Sequence, residues 1–170
     1  MPNIKKSTKP LASPDDRLSI KYVREEFNEE APDWNRQMEL CDAHAMELRG
    51  MKADLFIDQY NRIQREGRLV LIMARDMSRN DLLIGYSSHF WYRHLHFNMR
   101  IANDDAWYVV PEYRNRGIGR ALREMALVYL KAAGCVGAYG RTKTEFPHDE
   151  SMTDLGYDPF EMVWLKDLTQ

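Results

Sequence analysis

The chain has 170 residues, 44% of them hydrophobic, with 24 Lys and Arg against 26 Asp and Glu and a formal net charge of −2. That length predicts one domain able to bury roughly 70% of its unfolded surface, and the balanced charge gives no ground for a nucleic acid or an anionic membrane as partner. Two distant cysteines, Cys41 and Cys135, make neither a disulfide framework nor a metal site, and no apolar run nears the ~20 residues of a membrane span, so a cytoplasmic setting is expected.

Residues 1–16, with Lys5, Lys6, Lys9, Pro10 and Pro14, read as a flexible arm ahead of a single domain over 17–170. Leu18 to Val23 alternates as a first strand. Arg24 to about Gly67 reads as mainly helical, broken at Pro32 and Gly50. Met38, Cys41, Ala45 and Leu48 share one face of the earlier helix; Ala53, Phe56, Tyr60 and Ile63 follow on the later one. Met38, Met46 and Met51 are expected as core or pocket filler. The run Glu25-Glu26…Glu29-Glu30 reads as a solvated helix face or a favourable N-terminal charge.

Leu69 to Arg75 is an apolar, β-rich run, Ser78-Arg79-Asn80-Asp81 is a turn, and Leu82 to Phe97 returns as a long aromatic strand, which together predict a hairpin. His94 and His96 lie two apart on that strand with His89 nearby. They lack a third ligand and read as aromatic packing or a substrate wall rather than zinc. A fourth strand is expected over Ala106 to Val110, opened by Asn103-Asp104-Asp105. After it, Ile118, Ala121, Leu122, Met125, Tyr129 and Ala132 form one helical stripe that ends at Gly134. Val136 to Arg141 is a short fifth strand, Pro147 to Leu155 a short helix, and Phe160 to Leu165 a last strand.

The segment between the fourth strand and its helix is the most informative in the chain. Pro111 stops the strand because it cannot donate a ladder hydrogen bond. Gly117 and Gly119 lack a Cβ and let the backbone approach a ligand, and the helix that follows presents N–H groups and a positive dipole end. Arg114, Arg116 and Arg120 add charge, and the sum is a phosphate cradle. A Rossmann fingerprint would need glycine where Leu122 stands, and a P-loop would need Gly-Lys-Ser/Thr where Gly-Arg-Ala stands.

Arg114-x-x-Gly117-x-Gly119, entered from a strand ending in Val-x-Pro, resembles the acetyl-CoA-binding motif of the GNAT superfamily of N-acetyltransferases. The element order over residues 17–168 is similar to that of the same family. The resemblance implies an α/β (α+β) fold with a mixed, mostly antiparallel sheet flanked by helices and a splayed parallel pair at strands four and five. Trp107, Tyr108, Val109 and Val110 would then pair with the pantetheine arm of acetyl-CoA, much as an added strand does. The amides of Arg114, Asn115, Arg116, Gly117, Ile118, Gly119 and Arg120 would hold the pyrophosphate, and a main-chain N–H near Val109 would face the oxyanion. Homodimers are frequent in the family, and no metal is implied.

Acetyl transfer needs a neutral amine, and a lysine-like amine is neutral in only about one molecule per thousand at pH 7. Asp104, Asp105 and Glu112 are the acids near the cradle. Asp105 lies nine residues before Arg114, and plain alternation puts it on one strand face with Trp107 and Val109. Its position resembles that of a catalytic glutamate in aminoglycoside-type members; the bland reading of Asn103-Asp104-Asp105 is a solvated turn. Family members often carry a proton-donating tyrosine four residues before the glycine of a Gly-aromatic pair, and here, before Gly156-Tyr157, that position is Met152. His148 is the substitute candidate and Tyr139 a weaker one.

The expectation is therefore an N-acyltransferase moving acetyl from acetyl-CoA to a primary amine, on a small molecule or on a protein lysine or N-terminus, by direct attack in a ternary complex. The alternative is a catalytically weak GNAT-like binding or structural module. The closing segment, from Arg141-Thr142-Lys143 through Gly156-Tyr157 to Lys166-Asp167-Leu168, also resembles GNAT proteins carried by bacteriophages, which would make such a module virion-associated or directed at host proteins. A nucleotide-binding regulator using the same turn is a third reading.

Overall fold

A computed structural model describes residues 19–142 and 149–159. The N-terminal arm, His148 and the expected last strand lie outside the described residues. Up to Tyr139 the chain forms one compact unit; a second begins at Gly140 and contains the short helix α4 (Asp149–Asp154).

The first unit is built on one sheet in the order β1 (Ile20–Glu25), β2 (Leu69–Asp76), β3 (Leu82–Arg93), β4 (Arg100–Val109) and β5 (Gly137–Tyr139). Neighbours are antiparallel except the parallel pair β4–β5. All eight residues of β2 are buried, as expected of a strand covered on both faces. Helices α1 (Trp34–Arg49) and α2 (Ile57–Arg65) meet the sheet through the face that carries Tyr86 and Tyr108, and α3 (Ile118–Ala132) packs through the face that carries Trp107. Leu122, Ala126 and Leu130 of α3 are buried against Ile72, Ile84 and their neighbours. Among the described residues no helix is long and apolar enough to cross a membrane.

Several boundaries differ from the sequence reading. No helix forms over residues 26–33: the loop is pinned when Phe27 N–H donates to Gln64 Oε1 and Gln64 Nε2 donates back to the Phe27 carbonyl. The buried residues of α1 are Gln37, Leu40 and Cys41, so of the expected stripe only Cys41 is fully buried, and Met46 and Met51 are exposed. The fourth strand starts at Arg100, six residues early, so Asn103 and Asp104 are buried strand residues and not a turn. Arg123 of α3 meets Asp104, donating to its Oδ2 at 3.2 Å, and its guanidinium lies 4.4 Å from the Trp107 ring. His94 and His96 stand at the exposed tip of the β3–β4 hairpin beside Phe97.

His89, nearly fully buried, sits 3.2 Å from Ser87 Oγ. Burial, with the Arg123 charge second, pushes its imidazole down to about 4. The unfolded chain therefore takes up a proton near pH 6.5 that the folded one refuses. The stability so contributed is present above pH 6.5 and is lost as the pH falls toward 4. A His89→Gln variant should flatten that segment of the pH–stability curve by on the order of 2 kcal/mol in urea unfolding, whereas an unchanged slope would mean that His89 protonates freely when folded.

Candidate functional site

The site is organised by β4. Its ladder with β5 covers only Ile101↔Gly137, Ala102↔Ala138 and Asn103↔Tyr139. Asp104–Val109 run on past the last of these pairs, so over six residues the strand has lost β5 as a hydrogen-bonding neighbour. A strand edge of this kind accepts an extended guest.

Two residues past the ladder's end the strand carries a bulge. Ser88 faces Ala106 and His89 faces Asp104, which leaves Asp105 as the extra residue. A bulge re-aims the side chain it carries. Trp107 and Val109 lie against Gly119 of α3, whereas Asp105 turns to the opposite face. Plain alternation, which places all three together, fails because one inserted residue shifts the phase. On that opposite face Tyr60 of α2 donates to Asp105 Oδ2, and Ser88 Oγ donates to the same oxygen at 3.1 Å.

Around this carboxylate stand Cys41, Tyr60 and Tyr86. Burial is the main cause that pushes each above its ordinary range, and the Asp105 charge adds to it, so all three stay protonated at neutral pH. His44 Nδ1 lies 3.0 Å from Tyr86 Oη, and its ring packs on Tyr108 with centroids 5.5 Å apart. Among the described residues no group of three His, Cys, Asp or Glu is placed to hold a metal ion.

Beyond β4, a short 3₁₀ turn over Pro111–Tyr113 leads through Asn115 and Gly117, both at positive φ, into α3. Gly117 is the N-cap at φ 80°, and a Cβ there would meet open space. It makes no side-chain capping bond, and the first turn of α3 holds no acid, so the helix start keeps its positive end for an anion. The role of Gly119 is different: a Cβ there would stand 2.9 Å from Trp107 Cζ3, so glycine lets the helix start seat directly on β4.

The arginines are placed differently from the sequence picture of three charges around the turn. Arg114 Nε donates to the Val109 carbonyl at 2.8 Å, and its two Nη atoms reach both oxygens of Glu47 on α1 at 2.7 and 2.6 Å. Its guanidinium also stacks on Tyr108, and the pairing holds the Glu47 carboxyl below its usual range. Arg120 pairs with Glu124 one turn along, and Arg116 lies over the Tyr113 ring. A cavity of about 320 Å³ opens beside the turn toward β1, lined by Asp76, Ser78, Arg79, Glu112, Tyr113 and Arg116. Its two acids balance its two arginines, and it lies toward the sheet edge opposite β5.

Sequence reasoning thus names the strand, the turn and Asp105, and misses the partners that surround Asp105. Tyr60 reads as an ordinary core aromatic, and Ser88 carries no local signal. The spacing of His44 three residues from both Cys41 and Glu47 on one helix face is the only pattern that marks α1 as a wall of the site.

The sequence model described as the Acetyltransferase (GNAT) family matches residues 21–152. The chain belongs to this family. Solved structures agree on the fold. A Trypanosoma brucei acetyltransferase is similar with a TM-score of 0.68 at 16% identity, covering 88% of this chain and 99% of that one. Glucosamine-6-phosphate N-acetyltransferase from Arabidopsis thaliana gives 0.65 at 11%, covering 87% and 99%. An aminoglycoside acetyltransferase from an uncultured soil sample, in complex with sisomicin, gives 0.67 at 11%, covering 90% and 99%. No curated protein sequence matches the chain.

The two glycines should fail differently. Gly119→Ala forces α3 off Trp107 and should cost about 1–3 kcal/mol in thermal unfolding, as overpacking does. Gly117→Ala has room for its methyl and should cost about 1 kcal/mol through backbone strain alone. Equal melting temperatures for Gly119→Ala and wild type would show that the helix start does not rest on that contact.

Proposed function

We propose that the protein transfers an acetyl group from acetyl-CoA to a primary amine by direct attack in a ternary complex, with Asp105 as the base. The observation that supports this most is the coincidence of three features on one strand: the end of the β4–β5 ladder at Asn103, the bulge that exposes Asp105, and the anion-accepting turn beyond Val110. An extended donor with a diphosphate at one end and a thioester at the other fits that sequence of features. Trp107, Tyr108, Val109 and Val110 would receive the pantetheine arm along the open edge, and the amides from Arg114 to Arg120 the pyrophosphate. The β4 edge beyond the β5 ladder and a helix start with no side-chain cap are the features of this chain that suit such a donor.

Asp105 turns away from α3, toward α1 and α2, so the amine approaches from that side. Its C–N bond forms as an N–H proton passes to the carboxylate, and a main-chain N–H of β4 steadies the negative charge on the carbonyl oxygen. The acyl donor supplies the activated acetyl group; the chain supplies alignment and a place for the proton. His148, the other expected catalytic residue, lies outside the described residues and remains a candidate from sequence alone.

The assay is thiol release from acetyl-CoA against polyamines, aminoglycosides, amino acids and lysine peptides. Asp105→Asn should lower kcat by roughly 10²- to 10⁴-fold with at least one of these acceptors while CoA still binds in calorimetry. If the wild-type protein binds CoA tightly yet releases no thiol with any acceptor, the binding-module alternative replaces this reading.

A further inference from the structure

Asp105 has two carboxylate oxygens, and both nearby donors converge on one of them. Tyr60 and Ser88 each donate to Oδ2, from α2 and β3 respectively, and none of the described residues hydrogen-bonds Oδ1. The Tyr60 ring is itself fixed. It stacks on Phe27 with centroids 4.8 Å apart and planes 17° from parallel, and both ends of the Gln64 amide clamp the Phe27 main chain. Asp105, although exposed, is thus held through a chain of contacts that begins in the loop before α1.

We propose that Tyr60 is the positioning residue of this site, holding Asp105 Oδ2 so that Oδ1 alone carries the proton from the attacking amine to the departing thiolate. The proposal rests on the acetyl-transfer reading above. The nitrogen lone pair forms the C–N bond, and the C–S pair leaves with sulfur. One N–H proton passes to Oδ1 and then from Oδ1 to sulfur, giving amide, free thiol and Asp105 again as a carboxylate.

Two observations favour one oxygen for both transfers. Met152 stands where the resemblance to the family would place a proton-donating tyrosine, and a thioether has no proton to give. Among the described residues, the titratable groups that feel the Asp105 charge are Cys41 from α1, Tyr60 from α2 and Tyr86 from β3, and burial makes all three poorer acids than usual. Tyr60 is moreover occupied as a donor to Oδ2. A carboxylic acid gives its proton to a thiolate downhill, since an ordinary thiol has a pKa near 8.5.

Tyr60→Phe removes the hydroxyl and keeps the ring that packs on Phe27. It should lower kcat roughly 10- to 100-fold, as a misplaced reacting group does, while the KM for acetyl-CoA and the Kd for CoA stay within about twofold of wild type. The double variant Tyr60→Phe/Asp105→Asn should be no slower than Asp105→Asn alone, because Tyr60 acts only through that carboxylate. In the unloaded protein, a downfield hydroxyl proton resonance should be present in wild type and in Tyr86→Phe, and absent in both Tyr60→Phe and Asp105→Asn. Full kcat in Tyr60→Phe, or additive losses in the double variant, would overturn the positioning role. A loss in Tyr86→Phe as deep as that in Asp105→Asn would make Tyr86 a separate acid and overturn the single-oxygen route. Wild-type rates in Asp105→Asn would remove the base assignment itself and this proposal with it.

Discussion

The short ladder between β4 and β5 is the constraint on which everything else rests. Peptide groups need hydrogen-bond partners, and three paired residues are enough to start a parallel sheet but not to close it. The remaining six residues of β4 keep their extended form because β3 pairs them from the other side and α3 packs on the face that carries Trp107. The stretch of β4 beyond the β5 ladder is therefore held extended by its pairing with β3 on the other side.

β4 divides its labour by face. Toward α3 it presents Asp104, Trp107 and Val109, which meet Arg123 and Gly119 and fix where the helix begins. Toward α1 and α2 it presents Asp105 and Tyr108, which meet Tyr60 and His44. The bulge is what makes this possible, because without the extra residue Asp105 would share a side with Trp107. Arg114 joins the two ends of the site: one guanidinium holds the last carbonyl of β4, stacks on Tyr108 and pairs with Glu47 of α1. The turn before α3 is thus tied to α1. The ion pair is half exposed, so its value lies in registration more than in stability.

The polar residues buried here follow the same logic. Gln37, which is buried, and His44, which is half-buried, sit on the sheet-facing side of α1, where Gln37 and Leu40 join Cys41 of the expected stripe. In sequence, Asn103 and Asp104 read as a turn. Their side chains favour turns in isolation, and the Arg123 guanidinium arriving from α3 compensates the buried charge of Asp104.

Local chemistry was enough to determine the order of the described strands and helices, the stop at Pro111, the positive-φ turn at Gly117 and the family to which the chain belongs. Each depends on residues adjacent in sequence, where backbone preference and hydrophobic period act directly. The sequence also marks Asp105, but not the way it faces. That direction was settled by a bulge set in the pairing of β4 with β3, and its partners Tyr60 and Ser88 lie 45 and 17 residues away in the chain. The side chain of Arg114 likewise finds Glu47 across 67 residues. Contacts over such separations exist only after the sheet has closed and the helices have packed upon it, so tertiary structure decided which neighbours the catalytic candidate would have.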